Sequence, residues 1–156
     1  MNMKKTKIIS AIAVLAAAIP MTVSAAPQTT DINATVKSTY VLTIPAATSI
    51  IYGQESTDLK GSLKVSGNVD TNEKVKVSVA TTPLHNDSHN EDIVYTLNNG
   101  NVVFQGAEWS EAELRSGQTG SGKEIQLSVG ITKTAWEAAK AGEYKGAITF
   151  TATLEK

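Results

Sequence analysis

The chain has 156 residues, with 14 Lys and Arg set against 15 Asp and Glu, and no Cys. Its few scattered Lys offer no basic face, which argues against nucleic acid or an anionic membrane surface as a partner. With no disulfide available, stability must come from an apolar core and from sheet hydrogen bonds.

Residues 1–25 read as a secretory signal peptide. Lys4, Lys5 and Lys7 form a positive n-region, Ile8 to Ile19 is apolar apart from Ser10, and Pro20 breaks the helix. Val23-Ser24-Ala25 is the small-residue pattern that precedes a cut. The apolar run is shorter than the roughly 20 residues that span a bilayer, so no membrane span is expected after cleavage. The absence of Cys near the cut excludes a lipoprotein. Cleavage after Ala25 leaves residues 26–156, one domain long enough to bury a core. That part carries 11 basic and 15 acidic residues, a net charge of −4. All three Met fall in the leader, so the remainder has no sulfur to oxidise, which suits an extracellular life.

From residue 31 onward the pattern is β. Ile32, Ala34 and Val36 alternate with polar residues, and Tyr40, Leu42 and Ile44 continue the alternation up to Pro45. Ile50-Ile51-Tyr52 is a short apolar run ended by Gly53, and Leu63, Val65 and Val69 follow. Val75, Val77 and Val79 between Lys74, Lys76 and Ser78 form the cleanest half-buried strand. A polar loop is expected over residues 82–92, then a strand over 93–97. Asn98-Asn99-Gly100-Asn101 is a hairpin turn, because Asn and Gly tolerate positive φ, and Val102-Val103-Phe104 is the return strand.

Ser110 is a plausible N-cap for a helical turn to Leu114, and residues 115–123 read as a flexible Gly/Ser loop. Ile125, Leu127 and Val129 make the next strand. A short helix is expected over 134–141, with Thr134 and Glu137 as capping box and Gly142 as terminator. The last strand alternates from Tyr144 to Leu154 with a phase shift near Gly146. Seven to nine short strands with one or two helical turns predict an all-β fold, a single antiparallel immunoglobulin-like β-sandwich. The Cys…Trp…Cys pattern of true immunoglobulin domains is missing, so the likeness is architectural.

Motifs that carry chemistry are scarce. Gly117 to Lys123 fits the phosphate-loop spacing, but Glu124 stands where Ser or Thr must bind magnesium, and a strand rather than a helix follows; a hairpin loop is expected. His85 and His89 lie among Asp87, Glu91 and Asp92, ligand types that zinc accepts, yet the Asn- and Ser-rich setting predicts a solvated loop. A weak metal site there would raise the melting temperature with zinc. No nucleophile elbow and no His-Glu-x-x-His is present, so no catalytic residue, no metal, no cofactor and no enzymatic activity is expected. Trp109 and Trp136 are expected to cap the core beneath the helical turns; exposed, they would instead contact a partner or a glycan. Asn33-Ala-Thr35 and Asn86-Asp-Ser88 match the glycosylation acceptor pattern by chance.

The ending Ala141-Gly-Glu-Tyr-Lys-Gly-Ala-Ile-Thr-Phe-Thr-Ala152 resembles the last strand of many bacterial surface β-sandwiches, fimbrial subunits among them. Its marker residues are Gly142, Tyr144, Gly146 and Phe150. A signal peptide followed by an alternating segment at 31–37, a strand at 71–79 and a Trp-containing stretch at 109–114 is similar in order to the major pilins of the colonisation-factor class of enterobacterial fimbriae. The resemblance implies an incomplete sandwich whose groove is filled by the N-terminal segment of the next subunit, a strand addition. Ile32, Ala34 and Val36 would then be the donor residues. It also implies passage through the periplasm, where a chaperone is a possible partner, to the cell surface or fimbrium, with other copies or related subunits as lasting partners. The alternative is a self-complete, monomeric secreted sandwich that binds a host glycan or matrix, with residues 31–42 as its own first strand.

Overall fold

The computed structural model describes residues 28–156. The expected signal peptide and its cleavage site lie outside the described residues. Residues up to Ala34 and residues 35–156 are separate units, and every described strand and helix belongs to the second.

The strands in chain order are β1 (Thr39–Thr43), β2 (Ser56–Asp58), β3 (Leu63–Asn68), β4 (Lys74–Thr81), β5 (Leu84–Asn86), β6 (Glu91–Ile93), β7 (Thr96–Asn99), β8 (Val102–Val103) and β9 (Gly106–Ser110). Helix α1 (Glu111–Gln118) follows, then β10 (Glu124–Ile125), β11 (Ser128–Gly130), helix α2 (Lys133–Ala138) and β12 (Ile148–Glu155). All pairings are antiparallel. They form sheets ordered β1-β3-β10, β2-β11-β7-β8 and β12-β4-β9, with β5-β6 as a separate hairpin. The fold is all-β.

The period-two pattern explains the core. Leu63 and Val65 on β3, and Val75 and Val77 on β4, are fully or almost fully buried, while the residues between them turn outward. With Leu97, Trp109, Leu114 and Leu127 they join all three larger sheets and α1 in one cluster. Each such side chain contributes about 1.5–3 kcal/mol relative to leaving it in water. A smaller cluster of Ile93, Val129, Ile131 and Trp136 lies beneath α2. Both tryptophans are therefore core residues, and each satisfies its indole N–H. Trp109 Nε1 donates to the Lys123 carbonyl at 3.2 Å, and Trp136 Nε1 to the Gln54 carbonyl at 2.9 Å.

Several boundaries differ from expectation. Residues 28–38 form no strand, so the alternation of Ile32, Ala34 and Val36 is unused and the first strand starts only at Thr39. Ser110 does cap α1, with Glu113 completing a capping box, but the helix runs on through Gly117, where a loop was expected. Helix α2 is capped by Thr132 rather than Thr134, and it ends at Ala138 well before Gly142. The polar stretch 82–92 makes a hairpin, and the run 125–129 splits between two sheets, the Leu127 carbonyl accepting from the Leu59 N–H between them. Tyr144 precedes the last strand instead of opening it.

Candidate functional site

Strand β12 is the feature that stands out. It ends its sheet, and among the described residues no strand pairs with its outer side. The other sheet-edge strands have five residues or fewer, whereas β12 has eight. Long edges are usually blunted by Pro, Lys, a bulge or a cover. The sequence Ile-Thr-Phe-Thr-Ala-Thr-Leu-Glu has none of the first two, and its eight residues pair with β4 without interruption.

Pairing parity shows what that edge presents. The Thr82 N–H donates to the Ala147 carbonyl at 2.9 Å, just ahead of the Ile148–Thr81 partners. Hydrogen-bonded and non-bonded pairs alternate along an antiparallel ladder. Thr149, Thr151 and Thr153 therefore bond to β4, and the backbone groups of Ile148, Phe150, Ala152 and Leu154 face the free side. The same four side chains point inward and are half-buried, while the three threonines are exposed.

Across from β12 runs β1, also an edge. The Tyr40 hydroxyl donates to the Ala152 carbonyl at 3.2 Å, capping one of the free acceptors. Ile44, just past β1, lines a cavity of about 360 Å³ together with Ile148 and Phe150. Tyr40 and Leu42 on one side, and the four β12 side chains on the other, pack half-buried against the main core cluster. The result is a short apolar groove between two strand edges that run in opposite directions, open between Ile44 and Ile148–Phe150 and closed at Ala152 by the Tyr40 side chain. Gly146 lies at one end, where a Cβ would sit 2.9 Å from the Pro83 carbonyl, so a side chain is excluded by close packing. Gly142 and Tyr144 lie beyond it, lining a neighbouring cleft of about 890 Å³.

The expected donor residues are outside any strand. Ile32 is 90 % exposed and Val36 78 % exposed, and Ala34 is exposed as well. The neighbouring cleft contains Tyr52, itself 73 % exposed, whose ring meets that of Trp136 edge-on at 5.5 Å. Nothing in the sequence pattern marked Tyr52 as exposed, since it ends an apolar run.

The histidines do not converge. His85 Nδ1–H donates to Asp92 Oδ1 at 2.7 Å, and His89 Nε2–H donates to the Ala141 carbonyl at 3.1 Å; each partner is a pure acceptor, which sets the ring proton. Among the described residues no group of three His, Asp or Glu is placed to hold a metal ion. The Gly117–Lys123 stretch begins inside α1, and its Lys123 ammonium sits 5.2 Å over the Trp109 ring while donating to the Glu108 carbonyl at 2.8 Å. Around the sheet rims, carboxylates are held below their usual range by hydrogen bonds: Glu108 by Lys74, Glu124 by Ser62 and Glu113 by the Ser110 backbone N–H. These are rim contacts, and none faces the groove.

No family model, no curated protein and no solved structure matches this chain.

Proposed function

We propose that this chain is a structural subunit of a bacterial surface fibre or adhesive layer, an incomplete immunoglobulin-like β-sandwich assembled by β-strand complementation. The observation that carries the reading is the eight-residue edge of β12, unpaired among the described residues, beside a half-buried apolar groove. It is coupled with an apolar, alternating segment at 31–37 that belongs to no strand. An edge strand supplies backbone hydrogen bonds and the groove supplies pockets for alternate side chains. In this reading the chain is exported with its signal peptide, is shielded by a chaperone in the periplasm and reaches the surface bound to copies of itself. The test is a denaturing gel of the purified protein run without heating, beside a boiled sample. A ladder of detergent-resistant oligomers that collapses on boiling is expected; a single monomer band with a cooperative melt refutes complementation.

A monomeric secreted binding module is the second reading, favoured by the cleft beside Tyr52. The buried tryptophans cannot offer a stacking face, but the Tyr52 ring is open and steadied by Trp136. The charged side chains at its rim are already paired, Lys140 with Glu91 and Lys145 with Glu143, which suits a neutral sugar ring better than an acidic one. A glycan screen checks it, with Tyr52→Ala expected to abolish any binding found.

A further inference from the structure

Independently of how the chain assembles, we infer that Lys140 and Asn86 become joined by an intramolecular amide bond, with the Glu91 carboxylate as proton carrier and the Asn86 side-chain nitrogen as leaving group. The three residues meet where the β5–β6 hairpin touches the backbone that runs from α2 to β12.

Placement comes first. Asn86 and Glu91 are direct partners across the hairpin, so their side chains share a face. It is the face of Leu84 and Ile93, two residues back along each strand, which pack into the smaller core cluster. Asn86 is only 1 % exposed. The backbone over it belongs to no sheet and is held by the hairpin itself. His85 and Lys145 exchange backbone hydrogen bonds at 2.8 and 2.9 Å, and His89 Nε2–H donates to the Ala141 carbonyl at 3.1 Å. Gly142 has a φ of 154°, and a Cβ there would collide with Asn86 Nδ2, so glycine is what lets this backbone close over the amide. Two residues earlier, Lys140 sets its Nζ 2.5 Å from Glu91 Oε1.

Chemistry comes next. Asn86 Nδ2 and Glu91 Oε2 are both buried without a hydrogen-bond partner. Folded proteins leave few such atoms, and these two belong to facing residues. Asn86 Oδ1, by contrast, accepts from the Ser88 N–H at 2.9 Å and the His89 N–H at 3.3 Å. Two backbone donors aimed at one carbonyl oxygen stabilise the oxyanion that forms when its carbon is attacked. The Lys140–Glu91 contact holds the carboxyl below its ordinary range and the amine above its own, so the resting pair is charged. Passing a proton to Glu91 frees the amine as a nucleophile. Lys140 Nζ then bonds to Asn86 Cγ, and the Cγ–Nδ2 bond breaks. The two protons given up by the Lys140 ammonium reach the departing nitrogen through Glu91. That nitrogen leaves as ammonium and the carboxylate is restored, so the step balances with no co-reactant. Because the fold holds the groups together, the attack is effectively unimolecular. In a chain without Cys the new bond ties β5 to the segment ahead of β12 as a disulfide would.

Peptide masses test the bond. The folded protein is held at neutral pH until its mass is constant, boiled and run on a denaturing gel, and the monomer band is digested with trypsin. Expected is one species in which residues 77–115 are joined to residues 134–145, uncut at Lys140 and lighter by one ammonia than the two peptides together. Glu91→Gln is expected to yield the same region as separate peptides of full mass, with normal cleavage at Lys140, from a protein that still melts cooperatively. Separate peptides of full mass from the unmodified sequence overturn the proposal. So does loss of ammonia confined to residues 77–115, which marks a succinimide at Asn86, or conversion of Asn86 to Asp by water. Linkage found only in bands larger than the monomer overturns the intramolecular geometry, and a Glu91→Gln protein that still links overturns Glu91 as the proton carrier.

Discussion

Val36→Asp is the substitution that separates folding from assembly. Val36 is 78 % exposed and lies in no strand, so the isolated chain gives up little when it changes. Exposed substitutions of this kind stay within about 0.5 kcal/mol, so the melting temperature is expected to move by no more than a few degrees. In a groove filled by the segment around Val36 of another copy, the same side chain faces the core. There the change forfeits the burial of a Val, about 1.5–3 kcal/mol, and adds the cost of desolvating a carboxylate with no basic partner in the groove. A combined loss of about 3 kcal/mol already weakens each junction about a hundredfold, at 1.4 kcal/mol per factor of ten. The assay pairs the unheated gel with a thermal melt of the boiled and refolded monomer. A lost ladder with an unchanged melt is expected. A ladder that survives removes Val36 from the donor, and a melt that collapses shows that Val36 belongs to the fold of its own chain.

Other expectations follow from the core and the rims. Trp109→Ala empties the centre of the main cluster and orphans the Lys123 carbonyl; a loss of about 3–5 kcal/mol is expected in urea melts, and a loss under 1 would contradict its placement. Ser110→Ala removes the α1 cap and should cost about 1 kcal/mol, with no effect on the ladder. The Glu113 carboxyl is held below its ordinary value of 4.5 by the Ser110 backbone N–H, so its contribution is present above that value and drains away as pH falls through the lower folded value. Stability measured against pH should therefore fall on acidification, and Glu113→Gln should flatten that slope; an unchanged slope rejects the capping-box account. Tyr40→Phe should leave the ladder intact or strengthen it, since the hydroxyl competes for the Ala152 carbonyl that a donor needs, and a weakened ladder would show that the contact serves assembly.

How far a residue's neighbours in sequence set its environment explains what could be read in advance. The alternation Val75, Val77 against Lys74, Lys76 identified β4 because one face of a strand is buried and the other is not, and both facts are local. The hairpin at Gly100 and the Ser110 cap were legible for the same reason: a turn and a cap are made by residues three or four apart. The caps and breaks that failed were those with two local solutions. Thr132 and Thr134 both suit an N-cap; the helix that buries Trp136 takes Thr132, whose side chain accepts from the Ala135 N–H.

Sequence alone read a β pattern from residue 31 onward, realised over residues 39–156, with a Val- and Leu-rich core and neither disulfides nor Met to support it. Tertiary structure decided which strands are edges. Ile32, Ala34 and Val36 carry the same pattern as Ile148, Phe150 and Ala152, yet the first set is unpaired and exposed while the second is half-buried along β12. Periodicity records that a strand has an apolar face; it does not record how many neighbours the strand has. That number depends on pairings between residues far apart in the chain, and among the described residues it leaves one side of β12 open.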